Sequence, residues 1–300
     1  MRYAIVEAPS VLGLFPGGVE GLPGALLDAG LADAIGARRA GRVPAPPFDP
    51  WRDAATGVLN PTGLLDYART LADAVTVVLE AGEFPVVLGG DCSIVLGTML
   101  ALRRRGRYGL MFIDAHADFY QPEAEPNGEA ASMDLALVTG RGPDLLTNIE
   151  GRGPLVRDDD VVQFGRRDAQ EADEAGSQRI EDTGIRVIDL QTVRDRGVQV
   201  AAGVAVQHLT RRDIDGFWIH VDCDVLDDAV MPAVDYRIPG GLGWDELASA
   251  LRLGIGSGRA VGLEITIFNP RLDPDGSIAR ELVACIAAGL DHAVPAPADP

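Results

Sequence analysis

Three hundred residues with 47% hydrophobic content are enough to bury one large α/β core, and we expect a single domain over residues 1–294 followed by a Pro/Ala/Asp tail at 295–300. Acidic residues outnumber basic ones 45 to 26, for a formal charge of -19. Such a field repels phosphate backbones and anionic membranes, which argues against nucleic acid or membrane as partner and suits a cationic small molecule. Three cysteines without CxxC spacing exclude a disulfide framework or zinc finger, and no apolar run approaches a bilayer span, so a cytoplasmic protein is expected.

Short apolar runs alternate with longer amphipathic stretches, the pattern of a mostly parallel sheet with helices on both faces. Tyr3 to Glu7 opens the chain as a strand, and 15–50, rich in Gly, Ala and Pro, reads as loops and a short helix at the edge. Leu64, Leu65, Ala68, Leu71, Val75, Val78 and Leu79 recur at helical spacing until Gly82 ends the pattern. Strands are then predicted from Pro85 to Gly89, Tyr108 to Ile113, Val161 to Gly165, Ile185 to Leu190, Phe217 to Val221 and Ala260 to Ile267. Further helices are expected near Ile94 to Arg104, Trp244 to Leu253 and Ile278 to Ala288, the last two with start signals at Asp245-Glu246 and Asp275-Gly276-Ser277. The proline-bearing loop from Gln121 to Ser132 lies beside the most charged motif, where it would cover a site.

Three predicted strands run into metal-type ligands at their C-terminal ends, where open α/β sheets place their sites. They end in Gly89-Gly90-Asp91-Cys92-Ser93, in Asp114-Ala115-His116-Ala117-Asp118, and in Asp222-Cys223-Asp224. Strand alternation points Asp114, His116 and Asp118 to one side, and likewise His220, Asp222 and Asp224. So many carboxylates in one crevice repel one another and lose hydration unless cations compensate them. Two divalent ions bridged by carboxylates would do so. Oxygen-rich sites with an imidazole suit Mn²⁺, and such a pair can hold a hydroxide able to attack a trigonal carbon.

In order and spacing, GGDCS, DAHAD, DCDVLDDAVMPAVDYRIPGGL and GLEITIFNP resemble the four signature regions of the arginase/agmatinase (ureohydrolase) superfamily, over roughly Pro85 to Pro270. The resemblance implies a three-layer α/β/α domain with an eight-stranded, mostly parallel sheet, assembled as trimers or hexamers. It also implies a metal-dependent hydrolase that splits a linear C–N bond of a guanidino or amidino compound with metal-activated hydroxide. Carried over by position, Asp114 and Asp222 would bridge two Mn²⁺ ions, and His116 and Asp224 would complete the tighter site. Asp118 and the residue at 92 would hold the other ion, with Asp118 also orienting the nucleophile. Asp227 would fix the loop without being a ligand.

The sequence departs from that pattern at several points. Cys92 stands where the family has histidine. A thiolate there would shift preference toward Zn²⁺ or Fe²⁺, a thiol would weaken the site and leave one metal, and a buried inert cysteine is the alternative. The loop after DAHAD has no shuttle histidine; Glu129 either replaces it or is a solvated loop charge. Ile267 occupies the place of the guanidinium-binding glutamate. Asp235 and Tyr236, which replace the family's small hydroxyl-bearing loop residues, and Glu264 are therefore candidates for substrate contact, although alternation turns Glu264 to the other face. His220 reads as a hydrogen-bonded core histidine, the alternative being that it supplies the imidazole missing at 92. Cys223 reads as packing. Two further functional readings stay open: a metal-binding homologue that has lost catalysis and serves a regulatory role, and a hydrolase of a non-guanidino amide.

Overall fold

The computed structural model describes residues 1–211 and 213–291; the expected tail at 295–300 and His292 lie outside the described residues. Eight parallel strands form one sheet: β1 (Tyr3–Glu7), β2 (Arg38–Arg42), β3 (Phe84–Leu88), β4 (Gly109–Ile113), β5 (Val161–Phe164), β6 (Arg186–Ile188), β7 (Phe217–Asp222) and β8 (Ala260–Thr266). Their order is β2-β1-β3-β8-β7-β4-β5-β6. Every residue of β3, β4 and β7 is buried, which is why β3 and β4 read as unbroken apolar runs and β7 as one interrupted by His220 before it ends in Asp222: both faces of a parallel sheet are covered by helices.

Alternate residues of each strand feed two separate cores. Val86, Leu88, Met111, Ile113, Ile219 and Val221 pack with Leu247, Leu251, Leu282 and Ile286, from the Trp244–Gly256 and Ser277–Leu290 helices. Val87, Leu110, Phe112 and Trp218 point the other way, against Leu71, Val75 and Leu96, from the Pro61–Glu80 and Val95–Arg103 helices. This is the expected three-layer α/β/α arrangement.

The segment 15–50 holds more order than expected. Leu22–Asp28 and Leu31–Ala34 are helical, and β2 pairs with β1 as an edge strand. β2 is Arg-Arg-Ala-Gly-Arg, mostly exposed, with no apolar residue to mark it except Ala40. Arg39 and Arg42 hold it through the nearly buried Glu7 carboxylate, at 2.5 and 3.5 Å, and the charges protect the open edge from further pairing.

The chain order positions the site. β7 and β8, last in sequence, insert between β3 and β4, so the C-terminal ends of β3, β7 and β4 meet in the middle of the sheet. Ile113 stands beside Val221, so Asp114 follows beside Asp222, and Asp222 stands beside Thr266. Among the described residues no helix is long and apolar enough to cross a membrane.

Candidate metal centre

The Gly89-Gly90 turn lets β3 end tightly against the 8–13 segment: a Cβ on Gly90 would stand 1.8 Å from the Ser10 carbonyl oxygen. Asp91 then caps the short 3₁₀ turn Cys92–Ile94, its Oδ1 accepting from the Ser93 amide at 2.9 Å and its Oδ2 from Ser10 Oγ at 3.2 Å. That turn delivers Cys92, 1% exposed, with Sγ 2.8 Å from Asp222 Oδ2 and 3.0 Å from Thr266 Oγ1.

β4 stops at Ile113, so strand alternation does not carry Asp114, His116 and Asp118 to one side as predicted. A bent loop does so instead. Asp118 takes a left-handed backbone (φ 44), its carbonyl accepting from the Leu135 amide at 3.1 Å. Gln163 Nε2 on β5 donates to the Asp114 and His116 carbonyls at 3.0 Å each, and Asp168 accepts from the Ala117 amide at 3.0 Å. β7 likewise ends at Asp222. Its Oδ1 accepts from the Asp224 amide at 2.7 Å, capping a 3₁₀ turn that turns Asp224 toward His116.

Side-chain ligand atoms of Cys92, Asp114, Asp118 and Asp222 lie within 4.8 Å of one another, and those of Asp114, His116 and Asp224 form a second such group. Asp114 belongs to both. His116 Nδ1 lies 2.7 Å from Asp224 Oδ2, while the buried Asp114 Oδ2 has no hydrogen-bond partner. Burial, reinforced by neighbouring carboxylates, pushes Asp114, Asp118 and Asp222 well above the usual carboxylate range. It also raises the Cys92 thiol, with Asp222 adding to the effect. Burial acts against charge on both members of the His116–Asp224 pair. Their mutual attraction overcomes it, pushing His116 up to about 10 and holding Asp224 below its ordinary value. Ligand atoms clustered with an unpartnered oxygen and a surplus of buried negative charge are the donor set a pair of divalent cations satisfies.

Above these groups lies a cavity of about 260 Å³, below the roughly 300–1,000 Å³ of drug-sized sites and suited to a small metabolite. Cys92, His116, Asp118, Asp222 and Asp224 form its floor, and Glu125 and Glu129 of the predicted covering loop form a wall with Tyr120, Tyr236 and Ile267.

The candidates for substrate contact divide. Glu129 is not a solvated loop charge: it is 2% exposed, accepting from the Phe15 amide at 3.1 Å and from the Tyr236 hydroxyl at 2.8 Å. Tyr236 lines the cavity while half exposed. Asp235 is not on the cavity wall; its Oδ1 accepts from Asn269 Nδ2 at 2.7 Å, a bond that ties the 231–236 loop to the 269–271 turn. Glu264 is not on the wall either. It is fully buried in mid-strand, its Oε1 2.8 Å from His220 Nδ1, because alternation on β8 turns it into the Val87 layer. Asp227 fixes its loop, accepting from the Ala229 amide at 2.9 Å, and Cys223 packs in the core.

Sequence reasoning missed Asp134, which is fully buried with neither carboxylate oxygen hydrogen-bonded and is pushed far up by burial and then by Asp114. At the start of a short helix it resembles any acid favoured by the helix dipole, so nothing local marks it. Gln163 and Asp168 were missed for a similar reason: the loop backbone groups they hold, at Asp114, His116 and Ala117, are distant in sequence.

Carboxylates, an imidazole and a thiol brought by three parallel strand ends to the floor of a small cavity define a metal-dependent hydrolase. The arginase family model matches residues 27–290. The chain is similar to the arginase of Staphylococcus aureus (strain COL), 28% identical over 290 residues that cover 94% of each chain. It is also similar to the arginase of Brevibacillus brevis, 32% identical over 219 residues, 73% of this chain and 72% of the relative. Its fold superposes on the solved native structure of Bacillus caldovelox arginase with a TM-score of 0.89 at 27% identity, covering 98% and 99% of the two chains. The chain belongs to the arginase family, and it is an enzyme of the ureohydrolase type.

Proposed function

We propose that this enzyme hydrolyses a linear C–N bond in a small guanidino or amidino compound, and that two divalent ions, Mn²⁺ by preference, are its cofactor. The observation that carries the reading is the sharing of Asp114 between two ligand groups on the floor of one cavity. Asp114, His116 and Asp224 would hold one ion, and Cys92, Asp114, Asp118 and Asp222 the other. When bound, the ions supply Lewis acidity that makes water nucleophilic near neutral pH.

The chain's own groups account for the rest. Asp118, on the cavity floor, accepts the proton shed by the attacking water and returns it to the leaving nitrogen. Glu129, held by Phe15 and Tyr236, lines the cavity, where its carboxylate would attract a cationic substrate and stand in for the shuttle imidazole the sequence lacks. The wall that receives a guanidinium in the family presents Ile267 here, and Glu264 and Asp235 do not replace its charge. This favours a substrate whose cationic end lies toward Glu129 and whose other end is apolar, over arginine itself. In this reading residues 1–294 form one catalytic domain, which works in the cytoplasm as a trimer or hexamer.

Mn²⁺-loaded protein should release urea or ammonia from some member of a panel of guanidino and amidino compounds, with loss of turnover in Asp118→Asn. Silence across the panel with Mn²⁺, Fe²⁺ and Zn²⁺, despite tight metal uptake, would overturn the hydrolytic reading in favour of a binding role. Turnover confined to simple amides would place the enzyme in a different substrate class.

A further inference from the structure

We propose that His220 is a metal ligand, and that Cys92, Asp114 and His220 together form a coordination set in which an imidazole from β7 takes over from the histidine missing at position 92. This rests on the metal-dependent reading above. The starting point is the sheet. Val87, Glu264, His220 and Phe112 stand side by side across β3, β8, β7 and β4, and Asp222 follows His220 by two residues on the same face. His220 is thus one step below the carboxylates, at the bottom of the crevice rather than in a remote core.

Three features make the ring a ligand rather than packing. Its orientation is fixed twice: it stacks on Phe112 with centroids 4.4 Å apart and planes 5° from parallel, and Nδ1 lies 2.8 Å from Glu264 Oε1. A carboxylate only accepts, so Nδ1 carries the proton and Nε2 is left with its lone pair. That nitrogen is fully buried and has no hydrogen-bond partner, an uncommon condition for a core histidine. Finally, a ring nitrogen of His220, Cys92 Sγ and a carboxylate oxygen of Asp114 lie within 4.8 Å of one another, and Asp114 Oδ2 is also unpartnered. A cation held by Nε2 and Oδ2 would satisfy both orphans at once. The imidazole that donates one N–H to a carboxylate while its other nitrogen faces the metal is the usual outer arrangement of a histidine ligand, and it gives the fully buried Glu264 a purpose as positioning residue. His220 and Cys92 then form a compensating pair: the thiol shortens the reach from β3, and the imidazole approaches from β7.

The test counts imidazole ligands directly. In Co²⁺-substituted protein carrying ¹⁵N-labelled histidine, each ligating ring gives a hyperfine-shifted proton coupled to ¹⁵N. Two such signals are expected, from His116 and His220, with one lost in His220→Asn. Glu264→Gln should keep both while weakening Co²⁺ binding by roughly 10–100-fold. One signal in the unsubstituted sequence, lost in His116→Asn, would overturn the assignment of His220 even if His220→Asn failed to fold. So would unchanged Co²⁺ stoichiometry and affinity in a folded His220→Asn variant. Failure of the unsubstituted protein to bind Co²⁺ at all would instead remove the metal-dependent reading itself.

Discussion

Metal-free protein should lose stability as pH rises from 5 to 8, contrary to the usual behaviour of an acidic enzyme, and metal should reverse the trend. Asp114, Asp118 and Asp222 present oxygens within 4.8 Å of one another. At that separation and an effective dielectric constant near 20, each ionised pair repels by at least about 3.5 kcal/mol, so three ionised carboxylates cost about 10 kcal/mol. This is comparable with the roughly 5–15 kcal/mol total stability of a domain, so the metal-free fold must keep some of them protonated. Their folded-state pKa values are raised, so the folded chain binds more protons than the unfolded one, whose aspartates titrate near about 3.9. The resulting stability is fully present below that value and is lost as pH climbs through the raised ones. His116, pushed up to about 10, adds a term of the same sign above its unfolded value of about 6.5. Asp224, held low, acts in the opposite direction only near and below about pH 4, outside this window. A single extra proton held by the fold throughout is worth up to about 4 kcal/mol between pH 5 and 8, or roughly 10 °C in melting temperature. Differential scanning calorimetry of chelator-treated protein at constant ionic strength measures the slope, and Asp114→Asn should flatten it. Mn²⁺ binds the deprotonated ligands, so loaded protein should gain stability over the same range. A metal-free melting temperature that is flat or rises from pH 5 to 8 would refute the reasoning.

Three other outcomes follow from particular contacts. Asp134→Leu replaces an unpartnered buried carboxyl by an apolar side chain of the same branching and should stabilise metal-free protein by about 1–3 kcal/mol in urea unfolding; destabilisation would mean that Asp134 has a cation or solvent partner. Gly90→Ala, whose methyl meets the Ser10 carbonyl, should cost about 1–3 kcal/mol or more and displace Cys92; a loss below about 0.5 kcal/mol would show that the turn yields freely. Tyr236→Phe removes one of the two donors to Glu129 and, at about 1.5–3 kcal/mol for a bond to a charged carboxylate, should raise KM about 10- to 150-fold with little change in kcat. An unchanged KM would take Glu129 out of substrate recognition.

Seven strands were legible in the sequence because a parallel strand covered on both faces is mostly apolar, and a short apolar run is a strong signal; the seventh, edge strand β6, is covered less and shows only Val187 and Ile188. The candidate ligand residues stood out because open parallel sheets place their sites at the ends of those strands. β2 was not, since its register depends on ion pairs from Arg39 and Arg42 to Glu7 on a neighbouring strand rather than on any apolar pattern of its own. Alternation predicted the convergence of Asp114, His116 and Asp118 for a reason that does not operate beyond Ile113; the left-handed turn at Asp118 and the Gln163 amide hold the loop instead. β8 was expected to run through Ile267, but it ends at Thr266, and Ile267 takes a left-handed backbone (φ 70) on the cavity wall, where a β-branched residue is strained.

Residue identity and spacing along the chain therefore determined the layered fold, the strand ends that carry ligands and the family's chemistry, because each of these is written in local periodicity or short motifs. Only the tertiary structure decided which acids face the cavity. It buried Glu264 against His220, tied Asp235 to Asn269, and turned Glu129 from a loop charge into a cavity wall. It also left Asp134 and the second nitrogen of His220 without partners. Those outcomes depend on β7 and β8 inserting between β3 and β4, so that a side chain's environment is set by residues 34 to 114 positions away.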